Sequence, residues 1–178
     1  DVRIDDDCII GDVGQGFAYC MDVLIEERWI TGTSALAMGR NAFEEALHWS
    51  RKRQIHKKPM HGLQVVRSRL IEMKAALDPM EAYSAALAVR LGRARNDKNM
   101  DLRLAADTAT FKAKATEVAT KCIENAQLLF GGRAFELRGP GERVQQLHSQ
   151  IFGMKCAGGT YDVLMDGAAK VLLLQSSL

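Results

Sequence analysis

The sequence predicts an all-α protein, an antiparallel four-helix-type bundle with a short strand-like N-terminal lead-in. Three observations carry that expectation. Apolar residues recur at spacings of three and four along most of the chain, as they do on the buried face of an α-helix. Aromatic residues make up only 6% and Pro numbers 3, while Ala, Leu and Met are plentiful, a balance that favours helices over strands. With 178 residues, 47% of them hydrophobic, the chain can build one domain with a core but not two comfortable ones.

Asp1–Phe17 is the strand-like part: Val2, Ile4, Ile9 and Ile10 sit among acids, and Gly11, Gly14 and Gly16 punctuate the exit. A helical stripe then begins with Phe17, Met21 and Leu24 and continues through Ala35, Met38, Ala42, Ala46 and Trp49. Arg51 to Gly62 reads as a basic, broken loop containing Pro59. Leu63, Val66, Leu70, Met73 and Leu77 form the next stripe. Asp78-Pro79 is then either an N-cap with Pro at the first position of a new helix, or a kink in a long one. The third stripe, Leu104, Thr108, Phe111, Ala115, Val118, Cys122 and Leu129, stops at Gly131-Gly132, a helix C-terminal signal. A shorter helix follows Pro140. The last runs from Thr160 to about Leu174, with Leu164, Ala168 and Val171 inward. Amphipathic helices of this kind bury their faces by packing together, with crossing angles near roughly 20°.

Charge and cysteine usage narrow the function classes. Lys and Arg number 24 against 22 Asp and Glu, a net +2, which lacks the basic excess of a nucleic-acid binder. Cys8, Cys20, Cys122 and Cys156 lie far apart with no CxxC or Cys/His cluster, so reduced thiols in an intracellular protein are expected. No apolar stretch is long enough for a membrane span. The chain starts at Asp1 on an acidic stretch with no Met and no leader pattern, which suggests that it was cut from something longer.

Motifs that could carry chemistry are few. Glu45-Ala-Leu-His48 is one Glu-x-x-His pair, but a di-metal bundle site needs two such pairs and two further carboxylates, so no metal is expected. No Gly-x-Ser-x-Gly is present. Gly158-Gly159-Thr160 precedes the last helix, where Thr160 is a good N-cap and free amides favour an anion; a purely structural cap is the plainer reading. In Glu26-Glu27-Arg28-Trp29, Glu27 falls near the apolar side that carries Leu24. A carboxylate there is either salt-bridged or held as a base with a raised pKa.

Taken in order, these pieces resemble the C-terminal helical domain of the acyl-CoA dehydrogenases over essentially the whole chain. Gly11-Asp-Val-Gly14-Gln-Gly16-Phe17 is similar to that family's exit from its middle β-domain, and Leu24-Ile-Glu-Glu27-Arg28 follows in the first helix. Arg53, with Gln64 eleven residues on, matches an Arg…Gln segment; Phe130-Gly131-Gly132 matches a Phe-Gly-Gly turn, and Glu142-Arg143 a Glu-Arg pair. Gly158-Gly159-Thr160-Tyr-Asp162-Val163 closes the series like the family's Gly-Thr motif. The sequence also departs from the pattern. His56-Lys57 stands where Phe-Gly is usual, Leu128 replaces a Gln, and Arg-Asp is absent around 146–149.

The resemblance implies residues 1–16 as the tail of a preceding β-domain and 17–178 as the helical domain. It implies FAD-dependent α,β-dehydrogenation of an acyl-CoA thioester, incomplete on this chain alone, and a homo-oligomer, dimer or tetramer. Arg53 and Gln64 would reach the FAD of a neighbouring subunit, Gly131 and Gly132 would let backbone approach the cofactor, and Thr160 and Asp162 would lie along the flavin. Arg28 would help position the thioester, with Gly158 and Gly159 against it. Many members carry the catalytic Glu at the position of Gly158. A minority, including isovaleryl-CoA dehydrogenase, supply it from the first long helix in a Leu-x-x-Glu-Arg setting, which makes Glu27 the base and places the chain in a Glu-Arg-Trp subgroup. The electron acceptor would be an electron-transfer flavoprotein or oxygen, and the compartment mitochondrial, peroxisomal or bacterial cytoplasm. A catalytically silent relative, acting as an oligomerisation or partner-binding bundle, is the alternative.

Overall fold

From Gly16 the chain runs as one helix for 37 residues, α1 (Gly16–Lys52), because no Pro interrupts it and good helix formers fill its exposed face. The computed structural model describes residues 1–94 and 102–175; residues 95–101 and 176–178 of the expected helical domain lie outside them. A two-stranded ribbon, β1 (Gln54–Ile55) and β2 (Lys58–Pro59), leads into α2 (Gln64–Ala94), then α3 (Leu102–Phe130), α4 (Glu142–Cys156) and α5 (Tyr161–Gln175). No described helix is long and apolar enough to cross a membrane.

Side-chain contacts give the helix directions. Trp29 donates its indole N–H to the Ser84 carbonyl at 3.0 Å, Arg40 grips Glu81 and Asp78, and the His61 imidazole meets the Ser50 carbonyl, so α1 and α2 are antiparallel. Arg69 to Asn125 and Arg90 to Asp107 make α2 and α3 antiparallel as well. α1 and α3 therefore run parallel. Their axes come close because Gly32 lies under Phe111 and Lys112, and Gly39 under Ala119. Ala35, Ala42 and Ala46 of α1, with Ala115, Ala119 and Ala126 of α3, continue this small-residue seam, all fully buried. Around it Leu70, Met73, Leu77, Phe111, Ile123, Val144 and Leu147 fill the core. The helical bundle is as expected, with five helices among the described residues; consecutive ones alternate in direction wherever contacts define it.

Three local expectations are corrected. The lead-in forms no strand: Val2, Ile4 and Ile10 are exposed, and Asp6–Cys8 makes a single 3-10 turn. An isolated extended segment has no ladder partner, so its alternation alone does not make a strand. Phe17, expected inward, is 76% exposed; the lead-in packs on Tyr19 of the same turn instead, where the Asp12 amide donates to the Tyr19 hydroxyl at 3.1 Å. Leu63, placed on the second stripe, is also exposed. It precedes the first turn of α2 and stays outside the helix face.

The basic loop holds the ribbon, with Gln54 opposite Pro59 and Ile55 opposite Lys58. His56 and Lys57 turn it with φ of 50° and 64°, the twist of a two-residue hairpin normally built with Asn or Gly. At Asp78-Pro79 the helix continues unbroken, so this is no N-cap pair. The Asp78 carboxylate instead accepts from Lys74 at 2.6 Å and Arg40 at 3.0 Å, which holds it below the usual carboxylate range.

Candidate functional site

The sequence-selected residues gather at two places, set by opposite ends of α1. In its N-terminal half, Arg28 Nε donates to the Gly158 carbonyl at 3.1 Å across 130 residues of chain. This joins the Glu27-Arg28 step to the turn between α4 and α5. Glu27 itself is exposed, and Arg28 is half-buried. Burial pushes the Arg28 guanidinium below its ordinary pKa, and the neighbouring Glu27 charge opposes that shift.

The turn is shaped by glycine. Gly158 and Gly159 have φ of 65° and 115°, a sequence of conformations that side chains disfavour. A Cβ on Gly159 would also press on Leu164 Cδ2 at 3.0 Å. Thr160 sits at the N-cap place, its carbonyl accepting from the Leu164 amide at 3.0 Å. Asp162 is exposed in the first turn of α5, where the helix dipole favours an acid.

One residue at this turn escaped the sequence reading. Lys112 of α3 is 0% exposed, and its ammonium donates to the Gly159 carbonyl at 2.6 Å and the Lys155 carbonyl at 2.9 Å. Burial pushes its pKa down, more than the nearby Cys156 thiol raises it; Arg28 pushes in the same direction as burial. The signal was present in the sequence: Lys112 stands four residues after Thr108 and four before Thr116, inside the apolar stripe.

At the far end of α1 is a cleft of about 760 Å³. Its floor is Trp49 stacked on Phe130, ring centroids 4.9 Å apart and planes 12° from parallel. Arg53, Arg69, Arg133 and Glu136 supply the charged rim, and Gly131 and Gly132 line it. A Cβ on either glycine would meet nothing within 4 Å, so their backbone is open to an approaching group. The Arg133 guanidinium lies 5.7 Å from the Trp49 ring centre, and Arg69 donates to the Asn125 side-chain oxygen at 2.7 Å. The Trp49 indole N–H is buried with no acceptor among the described residues. Gln64 begins α2 beside the lining residues Leu63 and Val65 but is not itself part of the cleft wall.

The expected cofactor residues are thus divided, Arg53, Gly131 and Gly132 in the cleft, Thr160 and Asp162 at the glycine turn. From Arg28 to Trp49, α1 spans 21 residues, about 30 Å at helical rise. The cleft combines an aromatic floor with guanidinium donors and suits a flat ring and an anion. The turn places a hydroxyl, that of Thr160, and the Asp162 carboxylate beside two carbonyls already bonded to Arg28 and Lys112.

The chain is similar in sequence and in fold to known proteins. Emericella nidulans has an acyl-CoA dehydrogenase, apdG, 30% identical over 173 residues, covering 97% of this chain and 39% of that protein. The human mitochondrial short-chain specific acyl-CoA dehydrogenase is 28% identical over 143 residues, covering 80% of this chain and 33% of that protein. The chain therefore spans well under half the length of these relatives. The butyryl-CoA dehydrogenase of Megasphaera elsdenii shares the fold, with a TM-score of 0.86 at 22% identity, over 97% of this chain and 43% of that one. Residues 14–173 match the family model of the acyl-CoA dehydrogenase C-terminal domain, and the chain belongs to that family.

Proposed function

We propose that this chain contributes to FAD-dependent α,β-dehydrogenation of an acyl-CoA thioester, with Glu27 as the base. The observation that carries this reading is the Arg28–Gly158 hydrogen bond, which ties the Glu27-Arg28 step to the closing glycine turn. Gly158 has no side chain to serve as base, whereas the residue before Arg28 is a carboxylate on a rigid helix.

The residues present fit FAD. The cleft's Trp49–Phe130 floor accepts a planar ring, the orphaned indole N–H offers a donor, and Arg53 and Arg133 match a pyrophosphate. Glu136 on the rim leaves the balance cationic against three arginines. When bound, FAD supplies the acceptor for the hydride that leaves the β-carbon. The Glu27 carboxylate takes the α-proton, the electron pair of that C–H bond becomes the new double bond, and Arg28 holds the Gly158 carbonyl out of the path. The roughly 30 Å between cleft and turn exceeds the reach of an extended dinucleotide, so the two places serve cofactors of different copies in a homo-oligomer.

The Glu27-Arg28-Trp29 assignment also places the chain in the subgroup that draws its base from the first long helix, as isovaleryl-CoA dehydrogenase does. Electron delivery to an electron-transfer flavoprotein or to oxygen, and residence inside a cell or organelle, belong to the same proposal. Flavin absorbance of the purified full-length protein, and its bleaching by a panel of acyl-CoA esters, test it. Yellow protein that bleaches supports the reading. Colourless protein that refuses FAD favours the silent bundle instead.

A further inference from the structure

The buried lysine of α3 has no place in the chemistry described above. Among the described residues no carboxylate neutralises it; its ammonium donates to two backbone carbonyls, of Lys155 and Gly159. Lys155 lies in the last turn of α4, where carbonyls point out of the helix without intrahelical donors. A cation there satisfies an orphan acceptor and opposes the negative end of the helix dipole. Gly159 lies four residues further, beyond the α4 C-terminus and just before Thr160. One ammonium thus clamps the end of α4 to the last residue but one before α5.

The clamp is rigid from behind. Lys112 is packed in the seam where the Gly32 backbone meets it, with a Cβ on Gly32 falling 3.1 Å from Lys112 Cα. Phe111 and Ala113 beside it are almost fully buried. On the opposite side, Arg28 holds the adjacent carbonyl, of Gly158. Two successive carbonyls in a glycine turn are therefore held by cations from two different helices. Burying an ammonium without a carboxylate is expensive, and a solvated surface lysine would stabilise the fold more cheaply. A clamp of this cost fits a turn whose geometry matters for more than stability.

We propose that Lys112 is a positioning residue that fixes the Gly158-Gly159-Thr160 turn in the conformation that receives the acyl thioester. It acts through the turn and touches no reacting atom. The proposal rests on the dehydrogenase reading above for the identity of what the turn receives.

The test is Lys112→Met, which keeps length and apolar volume but removes the donors. Hydrogen exchange is read at the amides of Ala157, Gly159 and Leu164, which are bonded to Gly153, Cys156 and Thr160. In the full-length protein these three are expected to exchange about tenfold faster or more, with α1 and α3 core amides unchanged. In the flavin-loaded protein kcat is expected to fall about ten- to a hundredfold with flavin absorbance intact, since small misplacements of a reacting group are costly. Unchanged turn amides overturn the proposal, and so does uniform loosening of the whole bundle, which is a core role. A loosened turn with normal kcat also overturns it. If the Met variant does not fold, Lys112→Gln is read the same way, with the same outcomes. A turn that loosens in a protein that never takes up FAD refutes the dehydrogenase reading and leaves the clamp standing.

Discussion

At the C-terminal end of α1, a stacked Trp49–Phe130 pair floors an open cleft; about 30 Å away, Arg28 and Lys112 hold a glycine turn through its carbonyls. The cleft is shaped by apolar packing, which is non-directional and tolerates shifts of a few tenths of an ångström. The turn is shaped by charge-assisted hydrogen bonds, which are directional and fix individual atoms. A ring and its phosphates can be bound by a forgiving cradle. A proton transfer demands atomic register. Under the proposed function, binding falls to one end and chemistry to the other, and each substitution below tests that division.

The largest effect is expected from Glu27→Gln at the turn end. It keeps shape and hydrogen bonding but removes the proton acceptor, so kcat should fall about a hundred- to ten-thousand-fold, the usual worth of a general base. FAD absorbance should be unchanged, because Gln keeps the size and hydrogen bonding of the side chain beside the turn. Near-normal turnover in stopped-flow bleaching would place the base elsewhere and collapse the division.

Next comes the joint that carries the cleft's glycines. Gly141, at the start of α4, packs against the Arg133 and Ala134 backbone, and a Cβ there would collide with the Arg133 carbonyl. Backbone cannot yield as a side chain can, so Gly141→Ala is expected to cost about 1–3 kcal/mol, the usual penalty of overpacking. Thermal unfolding measures it, and FAD affinity should drop in parallel because Gly131–Phe135 must shift. A variant as stable as the parent would mean the joint is loose.

How much of this was legible beforehand follows from the kind of physics involved. The long helices were readable because burial imposes a period: Leu70, Met73 and Leu77 are buried as their spacing demands. Arg53, Gly131 and Gly132 were found by short motifs, and they do line one cleft. Val2, Ile4 and Ile10 misled because alternation is only half of a strand, the other half being a partner. Lys112 was missed because a charge in an apolar stripe reads as noise until the carbonyls that accept from it, 43 and 47 residues on, are brought alongside. The parallel run of α1 and α3 depends on Gly32 and Gly39, whose value as close-approach points is a property of the pair and not of either helix.

A smaller effect, of opposite sign, belongs to the hairpin beside the cleft. His56 and Lys57 carry positive φ without being glycine, where the family pattern has Gly at the second position. A left-handed residue with a Cβ is strained by about 1–2 kcal/mol. Lys57→Gly relieves that strain while adding freedom to the unfolded chain, so a net gain of about 0.5–1 kcal/mol is expected. Denaturant unfolding is the measurement, and a loss of stability would show that the Lys57 side chain makes a contact worth more than its strain.

The smallest expected signal is a slope with pH, and it is specific to the turn end. Burial lowers the folded-state pKa of Lys112 below its ordinary value of 10.5, with Arg28 pushing the same way and Cys156 opposing. Between the lowered value and 10.5 the unfolded chain binds the proton more readily than the folded one, so stability rises with pH across that window. At neutral pH the charged lysine is held at a cost, which is removed as both states lose the proton. Unfolding free energy followed from neutral pH to about pH 10 should therefore climb more steeply in the parent than in Lys112→Met. Other groups titrate in the same range, and taking the difference between the two proteins removes those that do not depend on Lys112. Cys156 and Arg28 face the ammonium, so Cys156→Ser is made in both backgrounds to remove the thiol's influence on it. Identical slopes would mean that water reaches the Lys112 ammonium, that the carbonyls of Lys155 and Gly159 do not hold it in a dry site, and that the two ends of α1 are more alike than their contacts suggest.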